Sequence, residues 1–296
     1  RTRIYDLAPM VAAAERLSWQ NVFRVLDLDS RYGLPATLRL YLRAAIGNLF
    51  EHPDGTPMTL ADLELPMLIV VTGITVDGLK HDLDYYEHFM DDLAGPARVF
   101  RRSRLARVSR IASIFREMMS TPEALREIVF GSDESTKLAD VIDTVGFSSA
   151  IPGMIHYDIY REDERMRRLL DSLYGATGIT RLLEGGVVNN LPCRPAYAEV
   201  MNGRIGRRNP FVLAMDCFAP RARSPIFLPV QQLVRPNVSR NTPYAHFVFN
   251  LKRRLNPLNL VPKMPDITKA MSWAIEEMEP EMDFIEGMCR DIPVLK

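Results

Sequence analysis

The 296-residue chain is 47% hydrophobic and 25% charged, and its 37 basic and 37 acidic residues cancel to zero formal net charge. That balance excludes a global field that would draw in nucleic acid or an acidic partner, while the length allows one large core or two small ones. Cys193, Cys217 and Cys289 lack the close pairing of a zinc or redox motif, so plain buried thiols in a reducing compartment are expected. No run approaches the roughly 18–20 apolar residues of a spanning helix.

Residues 6–28 place Leu7, Met10, Val11, Ala14, Leu17, Val22, Phe23 and Leu26 at mixed helical spacing, which predicts one or two helices. Arg31 to Pro35 reads as a turn, and Pro35 suits the first turn of a helix carrying Leu38, Leu40, Tyr41, Leu42, Ala45 and Ile46. His52-Pro53-Asp54-Gly55 is a loop. Thr59 then caps a single turn ahead of Pro66.

MLIVVTGIT (67–75) is a short apolar run of the kind that fits a strand buried on both faces, hence a parallel sheet covered by helices. VIDTVGF (141–147), RLLEGGVV (181–188) and FVLAMDC (211–217) are three further strand candidates, with a helix ending at Gly203 between the last two. Strand, helix and strand over about thirty residues predict a βαβ crossover. The expected fold class is therefore α/β with a mostly parallel central sheet. From residue 220 on, Pro220, Pro225, Pro229, Pro236 and Pro243 predict irregular chain, followed by a final helix over roughly 266–289 that Pro280 divides.

The candidate chemistry starts at Glu184. An acid at the carboxyl end of a buried parallel strand stands where open α/β sheets bind ligands. Gly185 and Gly186 permit a sharp turn, Asn190 can bond to its own turn, and Pro192 can open the next helix. A plain strand-to-helix connection with a solvated acid fits the same residues.

The segment EGGVVNNLP (184–192) resembles the Asp-Gly-Gly-x-x-x-Asn-x-Pro signature of the patatin-like lipid acyl hydrolases. GFSSAIPGMIHY (146–157) is similar to that family's Ala-Ser-x-Ala-x-Pro-x-x-Phe segment through Ser148 or Ser149, Ala150, Ile151 and Pro152. MTLADLELPMLIVVTGI (58–74) resembles its Thr-Phe-x-Asp-Leu-x-x-Pro followed by a strand. The three keep the family's order. The resemblance implies an open three-layer α/β/α domain over 1–220 without its N-terminal part. A helical insertion would fall at about 76–130, with a mainly helical extension of the same domain over 221–296. It implies ester hydrolysis on phospholipids or neutral lipids by a serine–acid dyad, with no cofactor and no metal. Glu184 takes the place of the acid, Gly185 and Gly186 shape its turn, Asn190 pins the loop, and Pro192 closes the motif.

Two departures stand beside these agreements. The extra methylene of Glu184 moves the carboxylate by roughly 1 Å, a displacement that lowers rates on the order of a hundredfold unless the backbone compensates. No Gly-x-Ser-x-Gly elbow occurs among the 16 glycines. The start at Arg1 instead of Met leads to the expectation that the elbow lies upstream. The alternative is a catalytically inactive homologue that binds lipid or protein. A self-contained set of Ser148, Glu184 and His246 follows hydrolase chain order. Pro152, four residues after Ser148, opposes it, because an elbow needs a helix that starts at its serine.

One more segment calls for a partner. RVFRRSRLARVSRIASIFREMM (98–119) holds seven arginines, among them Arg101, Arg104 and Arg107, with Val108, Ile111, Ile114, Phe115 and Met118 at helical spacing. A basic amphipathic helix suits an anionic membrane surface. It equally suits pairing with the acidic segment 81–93. His52, His81, His88, His156 and His246 are expected on the surface or in loops, and none has a metal-binding i, i+4 partner. The setting expected is cytoplasmic, peripheral on a membrane, with a lipid ester as substrate and no nucleic acid.

Overall fold

The computed structural model describes residues 8–25, 31–34, 36, 38–75, 121–152, 154–160, 163–206, 209–216, 228–253, 255 and 259–290. The basic segment with Arg101, Arg104 and Arg107, the acidic segment 81–93, Cys217, Pro35 and residues 76–120 of the expected insertion lie outside the described residues.

The chain opens with helices α1 (Ala8–Arg16) and α2 (Trp19–Val22), strands β1 (Phe23–Val25) and β2 (Leu38–Leu40), and helix α3 (Leu42–Ile46). Strands β3 (Ile69–Thr75) and β4 (Leu125–Phe130) precede helix α4 (Val141–Ser148) and strand β5 (Ile155–His156). Helix α5 (Glu164–Thr177), strand β6 (Ile179–Glu184), helix α6 (Cys193–Met201) and strand β7 (Leu213–Met215) follow. Helix α7 (Leu228–Asn241), strand β8 (Phe247–Phe249), helix α8 (Met264–Met278) and helix α9 (Met282–Cys289) complete the described chain.

The fold is α/β, but the central sheet is not mostly parallel. Its order is β4-β3-β6, and β3 runs antiparallel to both neighbours. A second sheet, β1-β2-β5, is mixed, and β7 pairs with β8 in parallel. The inference from an apolar run to a parallel sheet fails for a physical reason. Covering a strand on both faces makes it apolar whichever way its neighbours point. Six of the seven β3 residues are buried, and α4 packs against it. Gly73 lets β6 approach, since a β-carbon there would lie 2.7 Å from the Ile179 side chain.

Three other expectations need correction. VIDTVGF is helix α4, not a strand, and six of its residues are buried. The β6–α6–β7 run is no crossover, because β6 and β7 lie in different sheets. The chain from Leu38 to Ile46 is strand first and helix second, with Leu38 and Leu40 alternating around Arg39. The Thr59 turn does form: its backbone N–H and its hydroxyl both donate to Asp62, at 2.7 Å. Helices α8 and α9 are separated by a short 3-10 turn at Pro280.

The core gathers between the central sheet, α4 and α5. Phe130, Phe147, Met166, Leu170, Leu182 and Leu183 are fully enclosed there. Glycine 146 brings α4 against β5, since a β-carbon at that position would meet the Tyr157 ring at 2.6 Å.

Candidate active site

Glu184 is the last residue of β6, and its backbone is fixed from two sides. Its N–H donates to the Ala150 carbonyl at 2.9 Å, and the hydroxyl of buried Thr72 donates to its carbonyl at 2.6 Å. The chain then tightens into a 3-10 turn over Gly185–Val187. Only glycine fits at 185, because a β-carbon would lie 2.0 Å from the Val70 carbonyl oxygen. Gly185→Ala is therefore expected to destabilise the protein by about 1–3 kcal/mol, read by urea unfolding. A loss below about 0.5 kcal/mol, ordinary for a surface change, would show that the turn has room to spare.

The loop after the turn is braced by asparagines. Asn189 donates to Glu127 at 2.7 Å and accepts from the Leu191 N–H at 3.2 Å. Asn237, reaching in from α7, accepts from the Asn190 N–H at 3.2 Å and donates to the carbonyls of Gly186 and Val187 at 3.4 Å. Pinning thus falls to Asn189 and Asn237, while Asn190 contributes its backbone N–H. The Asn190 side-chain Nδ2 is buried and has no hydrogen-bond partner among the described residues. Pro192 stands at the N-cap, one position before α6 begins at Cys193.

Two cavities meet at this turn. One, of about 460 Å³, is walled by apolar side chains that include Leu17, Phe23, Leu40, Ile155, Val261 and Ile267. Its polar lining among the described residues is Ser148, Ser149 and Glu184. The other, of about 380 Å³, is more polar and brings Gly185, Gly186, Asn189 and Asn190 to the same three residues. Both volumes fall in the range of about 300–1,000 Å³ usual for small-molecule sites. Burial raises the Glu184 carboxyl from 4.5 to about 7. The group is half ionised near neutral pH, the condition suited to a general base.

The other sequence candidates do not join it as an elbow or a triad. Ser148 is the last residue of α4, the opposite end from the one an elbow needs, and its hydroxyl donates to the Val70 carbonyl at 2.8 Å. His246 sits beside β8, where its Nδ1 accepts from the Val212 N–H at 3.0 Å, and it lines neither cavity. His156 is not a surface histidine: it is wholly buried in β5, with Nδ1 3.0 Å from the Ala36 carbonyl oxygen. Cys193 is buried as expected, whereas Cys289 is exposed.

A separate polar cluster lies at the start of α4. Arg43 reaches Asp140 at 2.7 Å, Asp143 at 2.9 Å and Asp163 at 3.7 Å, and Arg165 also bonds Asp140. Carboxylate oxygens of the three aspartates lie within 4.8 Å of one another. The Arg43 guanidinium already holds the place a cation would take, and Tyr157 donates its hydroxyl to Asp143. The cluster is a structural clamp between α3, α4 and the start of α5.

Comparison with protein-family models, with curated proteins and with solved structures finds no match. The functional argument therefore rests on the site itself. Among the described residues, no helix is long and apolar enough to cross a membrane.

Proposed function

We propose that this chain carries the acyl pocket and the acid of a lipid acyl hydrolase of the patatin-like kind. The observation that carries the reading is the apolar cavity of about 460 Å³ whose lining includes Glu184. An acyl chain laid against Leu17, Leu40, Ile155 and Val261 buries itself favourably, at roughly 0.8 kcal/mol per methylene. Its ester carbonyl then arrives at the junction of the two cavities, beside a carboxyl whose proton affinity is matched to pH 7. Glu184 is the general base in this reading. Gly185 lets its turn lie against β3, Gly186 lets the turn pass close to the Glu184 and Asn190 side chains, and Asn190 lines the polar side. The motifs shared with the patatin-like family support a relative of that fold, in which the glutamate replaces the aspartate. The basic segment 98–119 would seat the protein on an anionic membrane from the cytoplasmic side, next to its substrate.

The test is hydrolysis of p-nitrophenyl octanoate by the full-length protein. Glu184→Gln is expected to lower kcat/KM on the order of a hundredfold, the usual contribution of a positioned base. Ile151→Trp, which fills the apolar cavity, is expected to lower octanoate hydrolysis far more than acetate hydrolysis. Equal rates for wild type and Glu184→Gln would remove the acid from the mechanism.

A second reading is favoured by one observation: Ser148 is committed to the Val70 carbonyl, and the sequence holds no Gly-x-Ser-x-Gly. In that reading the chain binds acyl lipid without cleaving it. Tight binding of a fluorescent fatty acid with no ester turnover would select it.

A further inference from the structure

A third cavity, of about 230 Å³, shares no lining residue with the two at Glu184. Among the described residues, three arginines line it, Arg31, Arg39 and Arg167, against a single carboxylate, Asp158. That carboxylate is already engaged by the backbone. Its Oδ2 accepts from the N–H groups of Arg31 and Tyr32, the latter at 3.0 Å, and its Oδ1 accepts from the Ile159 N–H at 2.9 Å. Asp158 thus fixes the turn that carries Arg31. Three guanidinium charges less one carboxylate leave the lining with a surplus of two positive charges.

The acids that meet these arginines on α5 stand outside the cavity. Arg31 reaches Asp171 at 3.2 Å and Arg167 reaches Glu164 at 2.8 Å, and both carboxylates are more than half exposed. Exposed pairs of this kind contribute little, so a ligand can displace either acid readily. A second observation, on the sheet, points the same way. Arg24 of β1 and Arg39 of β2 stand directly opposite each other in the antiparallel register. Like charges in that position repel. Both guanidiniums lie over the Tyr41 ring, at 4.5 and 5.3 Å from its centre, and the ring offsets part of the repulsion. An anion beside Arg39 relieves more of it.

We propose that the cavity bounded by Arg31, Arg39 and Arg167 binds a phosphate group. The charge and the shape select this class of ligand. A phosphate monoester brings about −1.5 to −2 charges at neutral pH, which answers the surplus of the lining, whereas a carboxylate brings one. Guanidinium forks also pair with phosphate oxygens in bidentate fashion. The volume lies below the about 300–1,000 Å³ usual for sites that enclose a whole small molecule, so the cavity takes a compact charged group and not an acyl chain. The phosphate arrives on a soluble phosphorylated compound or on a lipid headgroup. The inference stands apart from the hydrolase reading, since it uses none of the residues at Glu184.

The probe is inorganic phosphate, titrated calorimetrically into the full-length protein at an ionic strength held constant with sodium chloride. One phosphate is expected to bind per chain. Arg39→Gln and Arg167→Gln should each weaken it at least roughly tenfold. Phosphate should also raise the melting temperature of wild type more than that of either variant. Arg168→Gln, which removes an exposed arginine of α5 outside the cavity, should bind like wild type. Arg167→Gln leaves the β1–β2 pair untouched and carries the test should Arg39→Gln fail to fold. Phosphatidic acid vesicles then separate the two sources. Co-sedimentation that Arg39→Gln abolishes assigns a lipid headgroup. No co-sedimentation, or co-sedimentation that Arg39→Gln leaves unchanged, assigns a soluble phosphorylated compound. An isotherm without binding at millimolar phosphate overturns the proposal. So does an equal loss in Arg168→Gln, or wild-type affinity in both cavity variants.

Discussion

Glu184→Gln is expected to be more stable than wild type at pH 8 by about 2 kcal/mol and no more stable at pH 4. The sign follows from where the proton sits. Burial holds the folded-state carboxyl at about 7, against an ordinary value of 4.5. Below the lower value both states are protonated, and the site is silent. As pH rises from 4.5 to 7, the unfolded chain ionises while the folded chain keeps its proton, so wild-type stability falls with pH and levels off above 7. Each unit of displacement corresponds to about 1.36 kcal/mol, and the contact of the side chain with two cavities reduces the full figure. Glutamine is neutral throughout and avoids this loss. The melting temperature should rise by several degrees at pH 8, in the same variant that tests the proposed hydrolysis. Identical pH profiles for the two proteins would show that the carboxyl is solvated. The trade is typical of functional sites, where stability is given up to hold a group ready for chemistry.

Arg43→Met is the second large effect, expected to destabilise the protein by about 3–5 kcal/mol in urea unfolding. The guanidinium serves two buried carboxylates at 2.7 and 2.9 Å. Burial raises the Asp143 carboxyl, and Arg43 is the chief influence opposing that rise. Removing the arginine leaves Asp143 enclosed with a tyrosine hydroxyl and, among the described residues, no ion-pair partner. The deficit should shrink as pH falls and Asp143 takes up a proton. It should also shrink when Asp143→Asn is added, because the second change removes the charge that the first left stranded. A single-variant loss under about 1 kcal/mol would mean that water reaches the cluster.

The site was more legible in the sequence than the fold around it. Glu184 at a strand end, two glycines and a following helix are local features, and local turn chemistry announces them. Strand direction is not local. The run Ile69–Thr75 is apolar because α4 and the rest of the core cover it, and nothing in its own residues says that β4 and β6 run the other way. Val141–Phe147 shows the same limit, since a helix buried on most sides loses its amphipathic stripe and reads like a strand. Asp140 immediately before it occupies the N-cap position, although its side chain makes no capping bond there. Helix α7 was hidden by prolines. Pro229 is tolerated in its first turn, and Pro236 lies inside it. With α7 unseen, Asn237 could not be counted among the residues that brace the acid.

The walls of the apolar cavity come from far apart in the sequence: Leu17 and Phe23 from an early segment, Leu260 to Pro262 and Ile267 from a late one, and Glu184 from between them in the chain. A guest in that space therefore grips early and late parts of the polypeptide at once. Its binding energy is available only when both are docked, so occupancy acts by mass action on their docking equilibrium. An acyl chain would work as a reversible internal staple, and the resistance of residues 259–290 to proteolysis becomes a gauge of how full the pocket is.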